Sequence, residues 1–119
     1  MDMTKWQTRI TKACKGVGTY RKEFDQVIET LASVLEKRDT AQEEFDKIGE
    51  MVVEHTNKGG NTNIEQNPLI RLINDLNRDA LTYWRDLGLT PAGLKKINDG
   101  MAKVEEKSKL SEVLKNLDS

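Results

Sequence analysis

Apolar residues recur mostly three and four positions apart along this chain, the spacing that places side chains on one face of a helix. Trp6, Ile10, Ala13 and Cys14, followed by Val17, predict a short helix over 4–15, which Gly16-Val17-Gly18-Thr19 brings to an end. Thr19 reads as the N-cap of a second helix. That helix spans Tyr20 to Ile48 on Phe24, Val27, Ile28, Leu31, Val34, Leu35, Ala41, Phe45 and Ile48. Its stripe drifts as a repeat of about 3.5 residues does, which predicts supercoiling against a partner. Asp39 with Gln42 three residues later forms a capping-box-like signal, so a break near Arg38-Asp39 is one reading and a single helix the other. Gly49 is the stop.

Residues 50–66 change character. Met51-Val52-Val53 is β-branched, Asn57-Lys58-Gly59-Gly60-Asn61 is turn chemistry, and Thr62-Asn63-Ile64 follows, predicting a short β-hairpin or an ordered loop. Asn67-Pro68 then opens a helix with Asn as cap and Pro as first residue. Its apolar residues, among them Leu69, Leu72, Ile73, Leu76, Leu81 and Trp84, cover roughly half the cylinder, where a single partner needs only about 100°. The width predicts two partners, the Tyr20–Ile48 helix and another subunit. Asn77 lies within that arc, as a buried register residue or at its exposed end. Gly88 ends the helix, and Thr90-Pro91 starts a short one to about Ile97. Asn98-Asp99-Gly100 reads as a turn. A last helix, Met101–Leu117, carries a thin stripe of Val104, Leu110, Val113, Leu114 and Leu117. The class is all-α: a central antiparallel helical hairpin with a β-hairpin or loop at its tip, plus small N- and C-terminal helices. The 119 residues form one domain (1–119). Within it, 1–19 is a basic helix and turn, 20–88 a hairpin core for oligomerisation, and 89–119 the C-terminal helices.

Charge sharpens this picture. The net charge of -1 conceals a segregation. Up to residue 22 the only acid is Asp2, against Lys5, Arg9, Lys12, Lys15, Arg21 and Lys22, whereas residues 23–54 are strongly acidic. A basic head on an acidic stem fits an anionic partner at one end. Lys5, Arg9 and Lys12 form a stripe on the first helix, and Tyr20-Arg21-Lys22 stands at the start of the second, where exposed N–H groups favour phosphate. The arrangement loosely resembles a helix-turn-helix entry. Nucleic acid and an acidic protein both fit such a surface. No run reaches the roughly 18 apolar residues of a membrane span, and the first residues lack the apolar core of a signal peptide. The lone thiol, Cys14, has no internal disulfide partner and fits a reducing compartment.

Candidate chemistry is sparse. His55 is the sole histidine and reads as a structural or surface residue; Cys14 reads as a small core hydrophobe. No Cys/His spacing suits a metal. Gly59-Gly60 lacks the Walker order of glycines and lysine, and reads as a tight turn. Glu43-Glu44 and Glu105-Glu106 are solvated charge. The expectation is a protein with neither catalytic residues nor cofactors. The rival classes are a helical adaptor or scaffold without DNA binding, and a small enzyme whose ligand set is missing.

Several stretches in order are similar to one family. Asn67-Pro68-Leu69-Ile70-Arg71-Leu72-Ile73-Asn74-Asp75-Leu76-Asn77, then Asp86-Leu87-Gly88-Leu89-Thr90-Pro91-Ala92, resembles the N-P, apolar helix, L-G-L-T-P pattern of phage terminase small subunits from cos-type tailed phages and prophages. Asp39, Ala41 and Phe45 in an acidic-ended helix, then Gly59-Gly60, and Gly18-Thr19-Tyr20 upstream, extend the likeness over roughly 18–97. The resemblance implies a non-catalytic subunit that forms a homo-oligomeric ring in the host bacterial cytoplasm. It also implies binding to double-stranded phage DNA at the packaging-initiation site, and recruitment of the large ATPase-nuclease subunit. The basic residues Lys5 to Lys22 are the expected DNA contact, and Leu69, Leu72, Ile73, Leu76, Leu81 and Trp84 the expected subunit seam.

Overall fold

A computed structural model describes residues 1–49, 52–56, 59–60 and 62–117, with the backbone alone described for 52–56 and 62–65. Helix α1 (Met3–Val17) begins at Asp2, whose carboxylate accepts from the Lys5 N–H at 2.8 Å. It ends at Gly18, left-handed at φ 78°, where the Gly18 and Thr19 N–H groups close on the carbonyls of Lys15 and Cys14. A 3-10 turn, Lys22–Phe24, leads into α2 (Asp25–Ile48). Strands β1 (Val52–Thr56) and β2 (Thr62–Gln66) pair antiparallel, Val52 opposite Gln66 and Thr56 opposite Thr62. Gly60 between them has φ 79°. Helix α3 (Pro68–Asp86) starts on the Asn67 side chain, which accepts from the Leu69 N–H at 3.0 Å. Helix α4 runs without interruption from Pro91 to Leu117.

Helices α2 and α3 run in opposite senses. Arg38 reaches Asn77, and Gln42 and Phe45 face Ile70, Ile73 and Asn74. Helix α1 lies against the first half of α2. Trp6, Ile10 and Cys14 from α1, Ile28, Leu31, Ala32 and Leu35 from α2, and Ala80 and Leu87 from the α3 segment make one core. The elbow after α3 locks the three together. Gly88 takes φ 74°, Leu87 is buried, and the Thr19 hydroxyl donates to the Leu87 carbonyl at 2.7 Å across 68 positions of sequence. Thr90 caps α4 by accepting from the Gly93 N–H at 3.0 Å. Gly93 sits so close to α3 that a Cβ there would overlap the Arg85 carbonyl oxygen.

Two expectations change and two open alternatives resolve. Thr19 is not the cap of the second helix: its hydroxyl is turned inward to Leu87, and α2 starts only after the 3-10 turn. No break occurs at Arg38-Asp39, because both side chains engage α1 rather than capping a new helix. Asn77 is exposed, at the outer end of its arc. The two expected C-terminal helices are one, since Asn98-Asp99-Gly100 stays helical. A helical glycine costs only about 1 kcal/mol, and nothing packs near Gly100 to exploit a turn.

The expected stripe is also split. At about 100° per residue, Leu94, Ile97, Met101 and Val104 share one side of α4, whereas Leu110, Val113, Leu114 and Leu117 lie roughly opposite. The protein measures 87 × 26 × 21 Å. Helix α2 alone spans only about 36 Å at 1.5 Å per residue. Length on this scale requires α4 to continue away from the hairpin rather than fold back along it, and Met101 to Leu117 are exposed throughout.

Candidate nucleic-acid interface

The solvent side of α1 follows from its core side. With Trp6, Ile10 and Cys14 buried, helical geometry turns Lys5, Arg9, Lys12 and Lys15 outward, and all four are exposed. No acidic residue occurs anywhere in α1. Between the cations stand Thr8 and Thr11, and a shallow groove is lined by Gln7, Thr8, Thr11, Lys12 and Lys15. Arg21 and Lys22 are exposed where the chain enters the 3-10 turn. The Lys15 ammonium stands 5.0 Å from the centre of the Tyr20 ring, which draws the end of α1 toward that turn. Tyr20 donates to Asp25 at 2.9 Å, and this bond holds the phenol proton and raises its pKa. The six basic residues read from the sequence lie along α1 and at the turn that follows it.

A network fixes α1 to α2 beneath that surface. The Trp6 indole N–H donates to Asp39 Oδ2 at 2.8 Å, and the guanidinium carbons of Arg9 and Arg38 each lie 5.6 Å from the Trp6 ring centre. Arg38 Nη2 also donates to Asp39 Oδ1 at 3.0 Å, and the Met1 ammonium reaches Asp39 Oδ2 at 3.3 Å. One turn back, Glu36 accepts from the Met3 N–H at 2.6 Å. Burial alone would raise the Asp39 carboxyl, but the bonds from Trp6, Arg38 and the N-terminal ammonium outweigh it, and the carboxyl lies below its ordinary value. Arg38 is a cation that sequence patterning does not place with the head. Its position inside an acidic stretch hides it, and only the α1–α2 crossing puts it on Trp6.

The expected seam residues divide. Ile73 is buried and Trp84 packs half-buried against the core, so both serve their own chain. Leu69 and Leu76 are half-buried, while Leu72 and Leu81 are 47% and 48% exposed and remain open to a neighbour.

Among the described residues no group of three or more His, Cys, Asp or Glu is placed to hold a metal ion, and no helix is long and apolar enough to cross a membrane. The His55 side chain and residues Met51, Asn57, Lys58 and Asn61 lie outside what is described. Cys14 is buried, and burial pushes its thiol pKa up, so it packs as a hydrophobe.

The fold and its surface define an elongated helical-hairpin protein with four exposed cations on an acid-free first helix. A family model described as phage terminase, small subunit, matches residues 4–103, and the chain belongs to that family. Membership gives it a role in phage DNA packaging. The match takes in the basic helix, which lies outside the motif resemblance over 18–97, and it ends within α4. Comparison with curated proteins and with solved structures returned no match.

Proposed function

We propose that this chain is the non-catalytic small subunit of a DNA-packaging terminase, acting in the host bacterial cytoplasm as a homo-oligomeric ring. In this reading the ring binds double-stranded phage DNA at the packaging-initiation site. It also recruits and regulates the large ATPase-nuclease subunit. Residues 1–119 act as one domain: the head, 1–19, meets DNA, the hairpin, 20–88, builds the oligomer, and 89–119 extends from it. The observation that carries the reading is the acid-free solvent face of α1, with Lys5, Arg9, Lys12 and Lys15 exposed together. Arg21 and Lys22 extend it. Several heads gathered in a ring would add weak phosphate interactions through effective concentration. Leu72, Leu76 and Leu81, with Leu69 beside them, supply the apolar seam between subunits; Ile73 and Trp84 support it from within.

Fluorescence anisotropy on labelled duplex at several salt concentrations tests the DNA contact. Replacing Lys5, Arg9 and Lys12 by Ala should weaken binding to all sequences and lower the salt slope by about one unit for each phosphate left without its cation. Replacing Lys95 and Lys96, exposed early in α4, should matter less. Because Arg9 also stacks on Trp6, a thermal melt of the variant accompanies the titration. Equal binding by wild type and variant would refute the head as the contact. An intact oligomer that binds no DNA at low salt would favour the helical adaptor instead.

A further inference from the structure

We infer that Arg9 is the phosphate anchor of the basic head and that Trp6 is its positioning residue, the buried indole ring holding the guanidinium ready for a DNA phosphate. The inference rests on the DNA reading above and singles out the residue that fixes where the backbone sits.

The six cations of the head are not equivalent. Lys5, Lys12, Arg21 and Lys22 are exposed, and among the described residues their side chains make no hydrogen bond, ion pair or ring contact. Each gives up rotamer freedom when it captures a phosphate. Lys15 is steadied 5.0 Å from the Tyr20 ring centre, but an ammonium is a point charge without paired donors. Arg9 combines what the others lack. Its guanidinium carbon lies 5.6 Å from the Trp6 ring centre, and no carboxylate among the described residues pairs with it. A cation–π contact consumes none of the N–H donors, so the planar fork remains available to two oxygens of one phosphate.

The ring is fixed from below. Trp6 is only 9% exposed, packs with Ile10 and Cys14, and donates its indole N–H to Asp39 Oδ2 at 2.8 Å. A buried, hydrogen-bonded ring is a rigid support, where an exposed one would move with the arginine. The second arginine at that ring is already spent. Arg38 donates to Asp39 Oδ1 from Nη2 at 3.0 Å and from Nε at 3.4 Å, and to Asn77 from Nη1 at 3.5 Å. One guanidinium therefore ties helices together and the other is left for an anion from outside. Along α1, Arg9 stands four residues after Lys5 and three before Lys12, on the same stripe. A phosphate held at Arg9 leads the strand past both, and their mobile ammonium groups follow it.

The test is fluorescence anisotropy of the full chain on labelled duplex at several salt concentrations. Arg9→Lys keeps the charge and loses the fork. It should weaken binding about tenfold, the order of one charge-assisted hydrogen bond, with the salt slope unchanged, because the slope counts neutralised phosphates. Lys12→Ala should instead lower the slope by about one unit. Trp6→Leu should also weaken binding at constant slope, Trp6→Phe should recover part of the loss, and adding Trp6→Leu to Arg9→Lys should cost nothing further. Circular dichroism checks that each variant is folded; if Trp6→Leu is not, Arg9→Lys, at an exposed position, decides alone. Wild-type affinity in Arg9→Lys overturns the inference, and a weakened Lys5, Arg9 and Lys12 triple variant then leaves the DNA reading standing. Additive losses from Trp6→Leu and Arg9→Lys overturn it too, since the two residues would be acting separately. A wild type that binds no duplex at low salt overturns inference and reading together.

Discussion

The three-helix body and α4 are built from similar amounts of charge, yet their apolar residues have opposite fates. In the body, Leu31 and Leu35 are fully buried, and each face of α2 that carries leucine finds α1 or α3. In α4, Leu110 and Leu117 remain 61% and 75% exposed. The difference is one of phase. On α1 the apolar positions Trp6, Ile10 and Cys14 stay on one side and α2 covers them, and on α3 Ile73 and Ala80 are covered while Leu72 and Leu81, at the edges of a wider arc, stay exposed. On α4 the apolar positions change sides after Val104, so no single neighbour can cover them. Isolated helices draw little stability from propensity alone, and a helix with two short opposed apolar patches is built for two separate contacts.

The sharpest way to break this comparison is to make the same change in both regions. Leu35→Ala should cost about 2–5 kcal/mol, the range for a buried leucine whose cavity cannot collapse, and urea melts monitored by circular dichroism read it directly. The acid response of the α1–α2 joint comes next. The folded Asp39 carboxyl titrates below its unfolded counterpart, so its stabilising contribution is complete above the ordinary carboxylate pKa of about 4 and disappears as pH falls through the lower, folded value. Asp39→Asn should cost about 1–2 kcal/mol at neutral pH and should flatten the loss of stability below that pKa. Melts of both proteins over descending pH decide it; parallel curves would mean that Asp39 does not tie α1 to α2. The smallest effect belongs to α4. Leu110→Ala should change the unfolding free energy by less than about 0.5 kcal/mol at dilutions where the chain is monomeric. A cost comparable to that of Leu35→Ala would show that α4 is packed on its own body after all.

Much of the body could be read from spacing and punctuation. Asn67-Pro68 and Gly49 mark helix ends by local backbone chemistry, and the apolar stripes of α1 and α3 are long enough to fix their buried faces. The features that escaped depend on contacts distant in sequence. Thr19 has the right identity for a cap, but its hydroxyl is better satisfied by the Leu87 carbonyl, 68 positions away. Arg38-Asp39 looks like a local capping signal, yet Trp6 claims both side chains. Asn98-Asp99-Gly100 has turn composition, but a turn forms only where packing rewards the reversal, and α4 has none to offer. For the candidate interface, exposure of Lys5, Arg9, Lys12 and Lys15 follows from the burial of Trp6, Ile10 and Cys14. The addition of Arg38 beside α1 does not, since it needs the crossing of two helices.

The elbow at Gly88–Gly93 acts as the fulcrum of a lever. Helix α4 is about 40 Å long at 1.5 Å per residue, so a rotation of about 10° at its root would sweep the tip through roughly 7 Å. A displacement of that size exceeds the spacing between successive turns and would put its leucines out of register with any fixed receptor. The close approach of Gly93 to the Arg85 carbonyl and of Gly88 to Thr19 and Ile97 leaves almost no room for such a rotation. Two residues without side chains thus set the aim of the molecule's most distant surface, and a single added methyl at Gly93 would be magnified along the helix into misalignment at its far end.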